Sequence, residues 1–189
     1  MIQLNPDWSK KLTYPEELVK WAASRPEASF YDLWEEAIDP EWLPYLAIAG
    51  GATKQQMVFA ACAVARLCLH LIPEGDDRPR IAIDTAEKWC RGETTQKQVK
   101  EAIAAVATYA TYADNAVYSA YSAAYSAAYS ASAASASAAS ASASAACALR
   151  AGIESQLICS TIREHLVFDR PPRPKRLTIW QRLAEGGDE

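Results

Sequence analysis

The chain has 189 residues and a net charge of −4 at pH 7, a length typical of one domain. The negative charge argues against nucleic acid as a partner of the whole protein. No stretch is apolar enough for a membrane span, and MIQLNPDWSKKLTYPEE at the start lacks the apolar core of a signal peptide. We therefore expect a cytoplasmic protein that does not contact membranes.

The first 52 residues are acidic and contain three predicted short helices. The first begins at Pro15, whose ring suits a helix start, and the second runs from Ala28 to Ile38 with Ser29 as its cap. Phe30, Leu33, Trp34 and Ile38 are expected to face inward. The third runs over 40–49 and ends at Gly50-Gly51. The acidic residues are interpreted as a solvated face, or alternatively as a patch offered to a basic partner.

Residues 53–71 form the clearest amphipathic helix. Thr53 and Gln56 have the spacing of a capping box, in which each side chain binds the other residue's backbone N–H. Eight apolar residues recur near helical spacing: Met57, Val58, Ala61, Val64, Ala65, Cys68, Leu69 and Ile72. His70 is interpreted as a helix-end residue, and His165 near the end of the last helix receives the same reading.

The block DDRPRIAIDTAEKWCRGE contains the next helix. Asp77 is the predicted N-cap, Pro79 lies in the first turn, Trp89 anchors the helix on the core, and Gly92 ends it. Ile81, Ile83 or Asp84, Ala86 and Trp89 are the candidate inward positions. Arg78 and Arg80 are expected to pair with Asp76 or Asp84, and alternatively they could bind an anion at the helix N-terminus.

Residues 102–149 consist almost entirely of Ala, Ser, Tyr and Thr, with neither Gly nor Pro. A helix capped by Thr94 or Thr95 should run through Ala113, and Asp114-Asn115 reads as a break. Beyond it, tyrosines recur every three or four residues, which predicts a helix rather than a strand. They are Tyr118, Tyr121, Tyr125 and Tyr129. An unbroken helix over 115–149 would be roughly 50 Å long at 1.5 Å per residue, so we expect it to fold back near 131–134.

The last predicted helix of the core runs over 153–168 and is amphipathic. Its expected inward residues are Ile153, Leu157, Ile158, Ile162, Leu166 and Phe168. A basic, Pro-rich arm over 169–189 follows it. Residues 178–184 could add a short helix. The arm and the acidic N-terminal segment are expected to pack on each other or on a second copy, and alternatively the arm could bind a polyanion.

Five cysteines lie in apolar helical patterns, and none forms a CxxC pair. An odd number without paired spacing predicts reduced, buried thiols rather than disulfides or a zinc site. The five are Cys62, Cys68, Cys90, Cys147 and Cys159. We expect no metal and no cofactor.

The block and its surroundings resemble the Ala-rich immunity proteins of bacterial polymorphic-toxin systems, in which a D-[DN]-R-P-R-x-A-I-x-x-A-x-x-W-x-x-G-E pattern precedes Ala-rich helices. The resemblance covers roughly residues 53–155. It is carried by Asp77, Arg78, Pro79, Arg80, Ala82, Ile83, Ala86, Trp89, Gly92 and Glu93. It implies that the chain binds and neutralises a partner protein and is not a catalyst.

The sequence as a whole predicts an all-α bundle of seven or eight helices with a close-packed Ala/Ser-rich hairpin at its centre. Residues 1–52 would pack on a core of 53–168, and 169–189 would form the arm. The expected function is a non-enzymatic, immunity-type inhibitor of a toxin or effector protein. The alternatives are a phage-type anti-defence protein that sequesters a small ligand or host factor, and a structural or ice-binding bundle. Candidate partner- or anion-binding residues are Arg78, Arg80, Tyr118, Tyr121, Tyr125 and Tyr129, and a homo-oligomer is compatible with the small-residue surface.

Overall fold

The computed structural model describes residues 14–110, 116–132 and 137–166, and within these ranges it contains nine α-helices and no strand. The predicted all-α class is confirmed, with one helix more than the upper predicted number. The helices are α1 Glu16–Ala23, α2 Phe30–Glu36, α3 Leu43–Ala49, α4 Lys54–Leu67, α5 Arg78–Cys90, α6 Gln96–Ala110, α7 Ala116–Ser132, α8 Ser137–Arg150 and α9 Ser155–His165. A short 3-10 helix, Leu69–Leu71, follows α4.

Helix α7 lies at the centre and packs against α4, α5, α6 and α8. Its buried side chains are mostly small, and six of them are alanines: Ala120, Ala123, Ala124, Ala127, Ala128 and Ala131. The others are three serines and Tyr121. Side chains this small allow helix axes to approach more closely than the usual ~8–10 Å. The chain folds back between Ser132 and Ser137, because α7 and α8 pack against each other. Most of the bend expected near 131–134 lies outside the described residues.

Buried serines join the central helices where no large side chain fits. The hydroxyl of Ser144 on α8 lies 3.2 Å from the carbonyl oxygen of Ala61 on α4 and 3.3 Å from that of Ala123 on α7. Ser130 donates within its own helix to the carbonyl of Ala127. Hydrogen bonds offset the cost of burying these hydroxyls, so Ser can stand in the core at nearly the volume of Ala.

The capping box predicted for α4 is present. Thr53 N donates to Gln56 Oε1 at 2.7 Å, and Gln56 N donates to Thr53 Oγ1 at 3.2 Å. The six inward residues from Met57 to Cys68 are buried, whereas Leu69 and Ile72 are half-buried. The α-helix ends at Leu67 rather than at 71, because the chain tightens there into the 3-10 turn. His70 Nδ1 lies 2.8 Å from the Leu67 carbonyl oxygen, in keeping with a helix-end role.

The cap predicted for α2, Ser29, is present, but the helix covers Phe30–Glu36 rather than the predicted range from Ala28 to Ile38. Ser29 and Asp32 form a reciprocal capping box. Ala37 adopts an extended conformation and ends the helix, so Ile38 leaves the helical face and is 82% exposed. The prediction that Ile38 faces inward is therefore wrong. Its spacing placed it inward only as long as the helix continued.

The C-terminal end of α2 is held by α9. The guanidinium of Arg163 donates to three carbonyl oxygens, those of Trp34 at 2.7 and 3.1 Å, Glu35 at 3.0 Å and Ala37 at 2.6 Å. These are carbonyls without a partner inside the helix, at the negative end of its dipole. Ser155 Oγ also donates to the Ile38 carbonyl at 2.8 Å. The two chain segments are thus fastened together across more than a hundred residues.

The described part of α9 is shorter than the predicted 153–168. Ile158, Ile162 and Leu166 are buried as expected, but Leu157 is 47% exposed, so its predicted inward position is wrong. Its neighbour in sequence, Ile158, takes the buried face instead. Phe168 lies outside the described residues, as do Asp114-Asn115, the arm over 169–189 and its predicted short helix.

A close approach at Gly50 fixes α3 against α2. A Cβ atom at this position would lie 2.3 Å from the ring of Phe30, so only glycine fits without displacing that ring. Across the described parts of the chain, no helix is both long and apolar enough to cross a membrane.

Candidate functional site

An ion pair lies at the start of α5, between Asp76 in the preceding loop and Arg78 in the first turn. Arg78 Nε donates to Asp76 Oδ1 at 2.7 Å, and Arg78 Nη2 donates to Oδ2 at 2.5 Å, which makes the pair bidentate. The backbone N–H of Arg78 donates to the same Oδ1 at 3.1 Å. Asp76 thereby accepts from an N–H at the start of the helix while it fixes the guanidinium.

The predicted capping role of Asp77 is therefore wrong. Asp77 occupies the N-cap position, but its backbone is helical and its side chain makes no capping hydrogen bond. A capping side chain needs an extended backbone to reach the N–H groups of the first turn. The preceding residue, Asp76, supplies that acceptor instead, and Pro79 in the first turn has no N–H that requires one.

Tyr121 of α7 connects this ion pair to the centre of the bundle, because its hydroxyl donates to Asp76 Oδ2. The Arg78 guanidinium, and after it the Tyr121 hydroxyl, holds the pKa of the Asp76 carboxyl well below its usual range, against the opposing effect of burial. Burial and the hydrogen bond to Asp76 raise the pKa of Tyr121 to about 12. At neutral pH the unit is a carboxylate, a guanidinium and a neutral phenol.

This geometry decides how Arg78 is used. Two of its guanidinium nitrogens are bound to Asp76, so its positive charge is already neutralised by a carboxylate of its own loop. An added anion would have to compete with that carboxylate. The arrangement favours the structural interpretation of Arg78 over anion binding.

Arg80 is placed differently, on the outer face of α5. Its side chain is 60% exposed, and its one described ion pair is a long one, 3.8 Å to Asp77. It does not reach Asp84, which pairs with Arg66 instead. Next to it, Ile81 is 53% exposed, so the prediction that Ile81 faces inward is wrong. Ala82 and Ile83 take the core positions, and the helix turns Ile81 outward.

The middle of α5 is joined to α4 by a charged cluster that sequence reasoning did not identify. Arg66 Nε donates to Glu87 Oε1 at 2.9 Å, and Nη2 donates to Glu87 Oε2 at 2.8 Å and to Asp84 Oδ1 at 2.6 Å. These hydrogen bonds raise the pKa of Arg66 further above its usual value. Asp84 and Glu87 are three residues apart on one helix face, a spacing that could have indicated a shared basic partner.

The end of α5 is fixed by the residues expected there. Trp89 is half-buried against the core, with Lys54 Nζ 5.0 Å from its ring centroid. Lys54 also donates to the carbonyl of Ala131, at the end of α7, at 3.3 Å. Gly92 adopts a φ of 75°, and Glu93 N donates back to Lys88 O at 2.9 Å, which completes a glycine-terminated helix end.

The four tyrosines of α7 differ in their exposure. Tyr121 is buried, Tyr118 and Tyr125 are half-buried, and Tyr129 is exposed. Tyr125 and Tyr129 stack with their ring centroids 5.8 Å apart. The Tyr121 hydroxyl donates to Asp76 of the Asp76 and Arg78 pair. The stripe predicted from spacing is real as a helical face, but successive members meet different surroundings.

The reactive side-chain types elsewhere are engaged in packing. Burial raises the pKa of the thiols of Cys68 and Cys90 to about 12, and it also raises the pKa of Cys62, Cys147 and Cys159. All five cysteines are free thiols. In the ranges that the structure describes, no group of three or more His, Cys, Asp or Glu side chains could hold a metal ion.

Comparison with known proteins gave no match to a family model, to a curated protein or to a solved structure.

Proposed function

We propose that the protein is a non-enzymatic, immunity-type inhibitor that binds and neutralises a toxin or effector protein through the outer face of α5. The observation that carries this proposal is the position of Arg80 and Ile81. Both side chains point outward on a helix whose other faces are occupied by the core, the Arg66 cluster and the Asp76 pair. Arg is enriched among residues that dominate protein interfaces, and an exposed Ile beside it supplies apolar area to bury.

Most residues of the DDRPR block have a use in the fold, and Arg80 differs from them. Pro79, Ala82, Ile83 and Ala86 are buried and account for the packing of α5. Arg78, Trp89 and Gly92 are used in the ion pair, the core contact and the helix end. Arg80 is the member for which the fold provides no such use, because its ion pair with Asp77 is long and exposed and contributes little to stability. Contact with a partner protein would account for the presence of Arg80.

The alternatives receive less support. A small-ligand site among Arg78 and the tyrosines would use groups that already bind one another at Asp76. An ice-binding surface would need the small side chains of α7 on the outside, whereas its central alanines are buried between four helices.

The proposal is tested with two variants, Arg80→Glu and Ile81→Asp. Both place a carboxylate in the first turns of α5, where the helix dipole favours negative charge, so the fold should tolerate them. Matched controls are Lys97→Glu, at a position 86% exposed on α6, and Leu157→Asp, at the exposed Leu of α9.

The tagged chain is used to capture a protein from cells that carry its gene, and the captured protein is then expressed in a test host. The expected result is growth arrest that the wild-type chain and both controls relieve and the two α5 variants do not. A captured protein that leaves growth unaffected, or relief that survives both α5 variants, would overturn the proposal.

A further inference from the structure

The C-terminal end of α2 carries a surface whose charge the described fold leaves largely unbalanced. We define this acidic surface by Glu35, Glu36, Ile38 and Asp39. Residues 14–52, which contain it, hold eight acidic and two basic side chains, a net charge of −6. No basic residue lies in the last turn of α2, although that is the negative end of the helix dipole.

The cations that do reach this surface are few. Arg163 binds backbone carbonyls there rather than carboxylates. Arg25 pairs with Glu36 at 3.2 Å, and within the described residues Glu35 makes no ion pair. Close by, burial and then the charge of Asp39 raise the pKa of Glu41, against the opposing charge of Arg150. Ile38 adds an apolar side chain that is 82% exposed.

A segment of complementary charge follows α9 in the sequence. Residues 170–182, RPPRPKRLTIWQR, hold five basic and no acidic side chains, together with Leu177, Ile179 and Trp180. The Arg163 hydrogen bonds place the last turn of α9 against the end of α2. Arg170 follows the buried Leu166 by only four residues, and an extended chain spans at most ~3.6 Å per residue, so the basic residues begin within about 15 Å of Leu166.

We propose that residues 170–182 bind back onto the acidic surface of α2 in the same molecule, with their basic side chains over Glu35 and Asp39 and an apolar side chain over Ile38. The tether favours this occupant over any other, because a short linker holds a segment at an effective concentration in the millimolar range. A second copy of the chain, or an unrelated basic protein, would have to compete from solution at far lower concentration. The proposal is independent of the function assigned to α5.

The test uses the full-length protein and a water-soluble carbodiimide, which joins a lysine amine to a carboxylate that lies in contact with it. Lys175 is the only lysine between residues 167 and 189, so cross-linked peptides identify the arm unambiguously. The expected product joins Lys175 to Glu35, Glu36 or Asp39 in the monomer. Lys175→Arg keeps the charge and removes the amine, and it should abolish this product.

Neutralising the surface with Glu35→Gln and Asp39→Asn together should lower the yield of the cross-link from Lys175 to Glu36, a carboxylate that the double variant keeps, about fivefold, as expected for the loss of two solvent-accessible ion pairs. The matched control neutralises two exposed acidic residues before α5, Glu74→Gln and Asp77→Asn, and should leave the yield unchanged. Both double variants are checked for unchanged helical dichroism. High salt should lower the wild-type yield, because it screens exposed charges.

A mixture of chains with two nitrogen isotopes separates the occupants. Cross-linked peptides in which both partners carry the same isotope support binding within one molecule. Mixed-isotope peptides would show that a second copy occupies the surface, and they would overturn the proposal. Cross-links from Lys175 to other carboxylates, or none at all, would overturn it equally.

Discussion

Replacing Ala123 by Leu should strongly destabilise the bundle, because the helices around α7 cannot move outward without losing packing contacts. Ala123 is fully buried, and its helix is packed against α4, α5, α6 and α8. Its carbonyl oxygen also receives the hydroxyl of Ser144 at 3.3 Å, which holds α8 close. The new side chain adds three carbon atoms at a place where the neighbouring helix backbones are themselves close.

The magnitude follows from two opposing terms. Burying three more carbons would contribute up to roughly 2 kcal/mol if space existed. In a filled core the overpacking instead costs about 1–3 kcal/mol net. Moving α8 outward to make room would also weaken the hydrogen bond that the Ser144 hydroxyl shares between the carbonyls of Ala61 and Ala123, which contributes about 1 kcal/mol. We expect the free energy of unfolding to fall by roughly 2–4 kcal/mol, a large fraction of the ~5–15 kcal/mol that a domain has.

The measurement is guanidinium chloride unfolding followed by circular dichroism, with Ala104→Leu as the control. Ala104 lies on the exposed face of α6, so the same change of residue there alters helix propensity by little and packing by nothing. The control should stay within about 0.5 kcal/mol of wild type. If Ala123→Leu unfolds at the wild-type midpoint, or if both variants lose equal stability, α7 is not the close-packed centre.

Four further predictions concern side chains other than Ala123. Arg163→Ala should lower the free energy of unfolding by roughly 2–3 kcal/mol in denaturant titrations, because it leaves three carbonyls at the end of α2 without their charged donor. Asp76→Asn should lose stability at neutral pH. The pKa of Asp76 is lower in the folded state than in the unfolded state, so its stabilising effect is complete above about pH 4 and is lost as the pH falls below that value. The difference in free energy of unfolding between Asp76→Asn and wild type should therefore shrink in acid. The pKa of Tyr121 is raised to about 12, so its tyrosinate absorbance should appear only at a pH well above 10. The stability that its neutral hydroxyl contributes should be intact below about pH 10 and should be lost as the pH rises through the folded pKa. Tyr121→Phe should remove this late rise in absorbance. At neutral pH, Cys68 should react with a thiol reagent only after unfolding, because it is fully buried and burial raises its pKa to about 12; fast reaction in the folded protein would contradict its burial.

Local chemistry made some of the fold predictable. The caps Ser29 and Thr53 could be read from the sequence, because a capping box involves residues only three apart. The all-α class followed from Ala and Ser, which form helices readily and lack the β-branched bulk that fills a sheet. The choice between Asp76 and Asp77 at α5 could not be read in this way, since it depends on the backbone angles of the loop.

Inward and outward positions were less predictable, for a physical reason. Ile38, Ile81 and Leu157 all have apolar spacing, yet all three are exposed. Helical spacing defines a face, but which face is buried depends on the neighbouring helices. Arg163 shows the same limit for polar contacts, because its partners lie more than 120 residues away in the sequence.

The small size of the central side chains constrains where recognition can occur. The buried Ala and Ser side chains of α7 and α8 offer little volume, and charged clusters at Arg66, Asp76 and Arg163 add to the contacts that hold the helices together. Side chains engaged in this way are not available to a partner without cost to stability, since an ion pair that is broken leaves a partly buried charge uncompensated. Residues that the fold does not need, such as Arg80 and Ile81, can change without that cost. A protein that must match a changing partner is therefore expected to vary at α5 and to keep its charged clusters fixed.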